Sequence, residues 1–377
     1  MGPLAGLRVI EMAGIGPLPF AGMMLSDLGA EVIRLERQST DKANIFETTQ
    51  RGRKSIALNL KTAEGVALAL KLIATADILI EGFRPGVMEK LGLSPDACFA
   101  VRPQLVFGRM TGWGQTGPLA HTAGHDINYI AITGALDAIG REQGGPVPPL
   151  NLLGDFGGGG AYLVMGVLAA LYESQKTGQG QVVDAAITDG VASLMTMIQG
   201  YQAMGMWEEG RQNNIFDGGP HYYDTYECAD EKWVSIGAIE VHFYAELVEK
   251  LALDVGEISY PAQFDKALWK SLKPKITEKI KTKTQAEWCD IFAGSDACFA
   301  PVLSMQEAYD YPHNQQRQTF VEIEGVMQAA PAPKFSRTKP VIPNPPVSQG
   351  ADTEKVLSDL GLTETEIIAY KEQGVIR

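Results

Sequence analysis

Leu7–Met12 reads LRVIEM, Glu31–Leu35 reads EVIRL, and between them Pro17–Leu28 reads PLPFAGMMLSDL. The two flanking runs are short and mostly apolar, the pattern of strands buried on both faces. The run between them opens on proline, which suits a first helical turn because the N–H it lacks has no partner there anyway. The pattern then repeats. Ser55–Leu60 predicts a strand, and Thr62–Ala74 an amphipathic helix with the Thr62 hydroxyl as its cap. Asp77–Phe83 (DILIEGF) and Leu105–Met110 continue the strand series. Strand and helix in alternation predict an α/β fold, a parallel sheet with helices on both faces.

Further along, Gly112–Gly124 (GWGQTGPLAHTAG) is a glycine-rich loop, followed by a helical stretch over Ile127–Ala138 and a Pro/Gly loop over Gly144–Pro149. Gly154–Gly160 (GDFGGGG) reads as a loop running into an apolar helix, Ala161–Glu173. Asp189–Trp207 predicts one long helical stretch, and His221–Ile236 a hairpin around Ala229-Asp230. A helical region over 241–310 carries the basic run KPKITEKIKTK. Ala330–Pro346 is proline-rich and extended, and Thr353–Ile376 predicts a terminal helical pair. Two lobes are expected: a doubly wound one first, then a smaller α+β lobe.

The 377 residues carry a formal net charge of −13, which disfavours DNA phosphates and anionic lipid as partners. No basic, apolar leader opens the sequence, and no run of about 18 apolar residues is seen, so no membrane insertion is expected. The four cysteines, Cys98, Cys228, Cys289 and Cys298, form no C-x-x-C and suit a reducing cytoplasm. There is no Walker motif, no H-E-x-x-H and no G-x-S-x-G, and no metal is expected. Gly14-Ile15-Gly16-Pro17-Leu18-Pro19 falls short of a dinucleotide fingerprint, because Pro19 stands at the third glycine.

Two turns carry candidate chemistry. In Gly154–Gly160, Asp155 can cap a helix, but a cap does not require four glycines after it. Glycines let the backbone approach a ligand, and a helix start favours an oxyanion or enolate. In Gly124-His125-Asp126-Ile127-Asn128-Tyr129, the histidine titrates near neutrality and suits proton transfer. An isolated histidine there would be a surface residue beside a cap; the second acid-bearing turn makes it a candidate. Glu240, ending the strand-like Trp233–Ile239, can orient an imidazole, as can many other acids. Met195, Met197, Met204 and Met206 suit core filling first and a pliant acyl surface second.

The opening segment, GHDINY, PPLNLLGDFGGGG, GQGQVVDAAITDG, DGGPHYYDTYECAD and GAIE occur in one order along nearly the whole chain. Together they resemble the family III CoA-transferase (CaiB/BaiF) superfamily, and its α-methylacyl-CoA racemase branch in particular. The resemblance implies a Rossmann-like large lobe over 1–185 plus 325–377, a small lobe over 220–315, and linkers at 186–219 and 316–324. It implies an interlocked homodimer with the active site where the large lobe of one chain meets the small lobe of the other. It implies a racemase that inverts the alpha carbon of 2-methylacyl-CoA thioesters through an enolate, with acyl-CoA as substrate and no cofactor. His125 and Asp155 would be the two bases, with Glu240 contacting the histidine from the partner chain. CoA would be held by Arg37, by Leu58-Asn59-Leu60-Lys61, by Gly82-Phe83-Arg84, by Lys90, and by Gly124 with Asp126, Ile127, Asn128 and Tyr129. Lys90 replaces a common arginine and so lacks the bidentate fork. A transferase with Asp155 as nucleophile is the alternative on the same fold.

Overall fold

The computed structural model describes residues 2–38, 42–253, 262–340 and 342–377. The chain forms two compact units, Met1–Thr133 with Leu150–Leu194 and Gln318–Arg377, and Gly134–Pro149 with Met195–Arg317.

The first unit is built on six strands: β1 (Arg8–Met12), β2 (Glu31–Glu36), β3 (Arg53–Ala57), β4 (Ile78–Glu81), β5 (Val106–Thr111) and β6 (Gln181–Ala186). They pair in the order β3-β2-β1-β4-β5-β6, and every pair is parallel. This is the Rossmann order, and the winding reverses between β1 and β4. Val9, Ile10, Val32, Ile33, Ile78, Leu79 and Ile80 are all buried, which is why these strands read as unbroken apolar runs. The helix Ala63–Ile73 starts as expected, with the Thr62 hydroxyl accepting from the Gly65 N–H at 3.1 Å. It lays Leu68 and Leu72 on the sheet.

The tail belongs to this unit. Helices Thr353–Asp359 and Glu364–Glu372 feed Val356, Leu357 and Ile367 into the same core. Val375 and Ile376 follow them, and Ile376 bridges Leu58 just beyond β3. Arg51 fastens the preceding hairpin of Phe320–Ile323 and Val326–Ala329: it pairs with Asp27 at 2.6 Å and donates to Gln328 Oε1 and to the Ala329 carbonyl, each at 2.8 Å.

The crossover from β5 to β6 contains a continuous helical run, Leu152–Thr177. It is long enough and, at a mean hydropathy of 1.4, apolar enough to span a bilayer. The sequence reading sees no such run because Asp155 interrupts the apolar residues. Here the run packs on the sheet, and a Cβ on Gly108 of β5 would meet Val167 at 2.8 Å and Leu163 at 2.9 Å.

The second unit holds an antiparallel sheet of β7 (Tyr223–Glu227), β8 (Trp233–Gly237) and β9 (Phe299–Val302). Helices Val241–Lys250, Lys266–Ile280 and Gln285–Phe292 close a core around Tyr222, Tyr244, Trp269 and Trp288. Its boundaries differ from the sequence reading. Residues 134–149 join it because Arg141 pairs with Asp224 at 2.6 Å and Arg211 with Asp137 at 3.2 Å. The long helix expected over Asp189–Trp207 is two, Ile187–Leu194 and Thr196–Ala203, divided at Met195 where the unit boundary falls.

Candidate active site

In a doubly wound sheet, ligands bind beyond the carboxyl ends of the strands at the reversal point. Beyond β1 lie Gly14 and Gly16, beyond β4 Gly82-Phe83-Arg84, and beyond β5 Gly112-Trp113. A cavity of about 230 Å³ opens there, lined by Gly82, Phe83, Arg84, Trp113, Gly124, His125 and Tyr129 among others. The Trp113 and Tyr129 rings cross edge to face at 4.7 Å. Gly112 has to lack a side chain, since a Cβ would stand 2.0 Å from the Tyr129 ring.

His125 precedes the helix Asp126–Ala131, and its backbone N–H donates to Asn128 Oδ1 at 3.0 Å. That bond fixes the backbone and leaves the imidazole exposed at the cavity. The Tyr129 hydroxyl donates to the Gly124 carbonyl and closes the turn. Burial, followed by the Asp155 charge, pushes the Tyr129 phenol up, while Arg84 opposes the shift.

Asp155 is not a helix cap. Leu152–Ala161 is a wide-turned π-helix that continues directly into Tyr162–Thr177. Asp155 lies in its first turn, near the positive end of the helical run. Its backbone N–H donates to Asp126 Oδ2 at 2.7 Å, and Asn151 Nδ2 reaches its carboxylate at 3.5 Å. A Cβ on Gly16 would lie 3.4 Å from Asp155 Oδ2, so the β1 turn faces this carboxylate as well. Burial is the main force raising the Asp155 carboxyl; Asn151 opposes it, Asp126 adds to it and His125 opposes it. His125 and Asp155 are therefore electrostatic neighbours, although the cavity wall includes only His125.

Gly158 and Gly160, after Asp155, serve the packing of neighbouring helices. A Cβ on Gly158 would meet the Val191 nitrogen at 2.8 Å, and one on Gly160 would meet the Pro17 carbonyl at 2.9 Å. They let helices Pro17–Asp27 and Ile187–Leu194 approach to backbone contact. The N–H of Asp155 is taken by Asp126, and the segment beyond it is already helix.

The other expected residues occupy several places. Arg37 stands exposed one residue past β2, and Lys61 stands exposed past β3. Leu58 is buried and Leu60 half-buried; the Asn59 N–H donates to the Val375 carbonyl at 2.9 Å. Arg37, Lys61 and Arg84 thus share the carboxyl edge of the sheet. Lys90 ends the short helix Val87–Lys90, exposed, and Ile127 and Asn128 are exposed on the helix after His125. Glu240 lies in the second unit, exposed and directly ahead of Val241–Lys250. Among the described residues, no three His, Cys, Asp or Glu side chains gather into a metal-ligand group.

Two residues went unread in the sequence. Asn151, four positions before Asp155, is a helical neighbour disguised by the loop-like glycines. Glu81 ends β4 beneath the cavity; its Oε2 accepts the Phe83 N–H at 2.6 Å, and Arg109 lies 3.8 Å from its other oxygen. Burial pushes its carboxyl up to about 7, against the Phe83 bond and Arg109. An acid directly after the apolar run Ile78-Leu79-Ile80 was the available signal.

Residues 4–353 match the family model "CoA-transferase family III". The chain is 43% identical over 376 residues to the mouse alpha-methylacyl-CoA racemase, covering 99% of this chain and 97% of that protein. It is 39% identical to the human alpha-methylacyl-CoA racemase, covering 99% and 97%. The crystal structure of a CAIB/BAIF family protein from Brucella suis superposes with a TM-score of 0.80 at 25% identity, covering 95% of this chain and 99% of that one. Fold, cavity edge and near full-length similarity agree: the chain belongs to CoA-transferase family III.

Proposed function

We propose that this protein is a racemase of 2-methylacyl-CoA thioesters, acting by two-base proton transfer at the alpha carbon. The observation that carries the reading is the pairing of His125 and Asp155 on adjoining turns at the carboxyl edge, joined through Asp126. One base removes the alpha proton, the thioester carbonyl takes up the charge as an enolate, and the conjugate acid of the other returns a proton to the opposite face. Imidazole and carboxyl differ by about 2.6 units in free solution, and the upward pressure on Asp155 narrows that gap. No redox cofactor takes part in such a transfer.

Arg37, Lys61 and Arg84 supply positive charge for the CoA phosphates, with Leu58, Asn59, Leu60, Gly82, Phe83, Lys90 and the 124–129 turn as further contacts. Glu240 would orient the His125 imidazole. The proposal includes a homodimer, supported by apolar side chains left exposed within single units, such as Met165 and Tyr172 in the first and Met204 and Met206 in the second. It also includes a cytoplasmic location, in keeping with four free thiols.

Deuterium wash-in is the test. One pure enantiomer of a 2-methylacyl-CoA in D2O should lose optical activity and gain alpha deuterium; the absence of both changes would refute the reading. A transferase with Asp155 as nucleophile is the second reading, on the same fold and in the same family. Its nucleophile would not require the His125 imidazole on the adjoining turn. Hydroxylamine trapping of Asp155, with label exchange between free acid and acyl-CoA, would replace the racemase reading.

A further inference from the structure

The two turns proposed to carry the bases meet through one side chain. Asp126 directly follows His125 and is buried, with 7% of its surface exposed. Its Oδ2 accepts the backbone N–H of Asp155 at 2.7 Å. Its Oδ1 is buried without a hydrogen-bond partner. The contact is so close that residue 154 cannot carry a side chain: a Cβ on Gly154 would lie 2.3 Å from Asp126 Oδ2. A buried carboxylate costs desolvation free energy, and a neutral acceptor could take the same N–H bond at a lower cost. The charge itself therefore calls for a role.

We propose that Asp126 is a positioning residue for the two bases: its buried carboxylate clamps the Asp155 turn against the His125 turn and holds Asp155 in a negative field. The proposal rests on the racemase reading above. The clamp sets the separation that a shared substrate carbon needs, since both bases must address one atom from opposite faces. The field disfavours a second negative charge at Asp155, so that carboxyl keeps its proton to higher pH and can serve as acid as well as base. Asp126 is one of several groups acting on Asp155: burial, Asn151 and His125 contribute, and Tyr129 feels the Asp155 charge in turn. The other helices packed on this segment carry Asp27, which is paired with Arg51, and Asp189, which is exposed.

Asp126→Asn tests the field. The amide is isosteric and can still accept the Asp155 N–H. The expected result is a folded protein in which both Asp155-dependent limbs of the exchange rate, acid and base, move to lower pH by about half a unit to one unit. A 13C-carboxyl titration of Asp155 in the same protein, without substrate, should move the same way. Gly154→Ala tests the clamp by forcing the turns apart without touching either base. It should lower kcat by about tenfold while KM for acyl-CoA stays within about threefold. Unmoved limbs together with an unmoved titration overturn the proposal, and so does an equal loss in kcat and binding for Gly154→Ala. If Asp126→Asn does not fold, Gly154→Ala decides alone. If the parent protein shows no alpha exchange, the racemase reading falls, and the titration still reports whether Asp126 acts on Asp155.

Discussion

At the scale of single residues, Asp155 is under opposed influences: burial and Asp126 push its proton on, while Asn151 and His125 push it off. That balance leads to a prediction about separate failure. If each base serves one face, His125→Ala stops racemisation in both directions, because every turnover needs one base and one acid. It should leave alpha-deuterium exchange on the enantiomer that Asp155 reaches, and Asp155→Ala should show the mirror pattern. Incorporation into each pure enantiomer measures this; equal loss on both hands would replace two independent bases with a coupled unit. Glu81 offers a second residue-scale prediction. Its folded pKa, about 7, lies above its ordinary 4.5. The folded state therefore holds the proton more tightly, and this contribution to stability is full below about pH 4.5 and lost as pH rises through about 7. Glu81→Gln should flatten that loss. Thermal unfolding between about pH 5 and about pH 8 should show a smaller fall in Tm for the variant than for the parent; parallel profiles would contradict the assignment. His125 and Asp155 were legible because histidine and acid stood out against glycine. The Asp126 contact was not, since it joins positions 29 apart through a side chain and a backbone N–H.

Among the elements, the π-helix Leu152–Ala161 is where sequence reading and structure part most clearly. Glycine favours no helix, so GDFGGGG reads as a loop by propensity. What makes it helical is tertiary packing: Gly158 faces Gly190 and Val191, and Gly160 faces Pro17 and Phe20, at separations only a bare backbone allows. Gly158→Ala should therefore destabilise the protein by ~1–3 kcal/mol despite alanine's better propensity, because the Val191 backbone nitrogen cannot yield. Gly200→Ala, in helix Thr196–Ala203 with open space around its Cβ, should instead gain ~0.5–1 kcal/mol. Urea unfolding of the two variants compares them directly, and a shared sign would mean packing does not govern the first. Elements with strong local signals were read closely, as with the Thr62-capped helix and the β7–β8 hairpin.

On the scale of the whole molecule, the alternation of apolar runs made the parallel sheet legible, and the resemblance placed the tail with the large unit. The boundaries at 134–149 and 195–219 were not legible, because ion pairs such as Arg141–Asp224 decide them and ion pairs leave no periodic trace. The bridge from Leu58 to Ile376 carries a consequence in time. A ribosome emits the chain from the amino end, and β1 to β5 could dock while the rest is still being made. In the stretch from Leu58 to Lys61, proposed to meet CoA, the Leu58 N–H already bonds the Glu36 carbonyl, but the Asn59 N–H and side-chain amide have their partners only in Val375 and Gly374. Its completion thus waits for residues 374–376, and a nascent chain halted before residue 374 would carry the sheet without its finished rim.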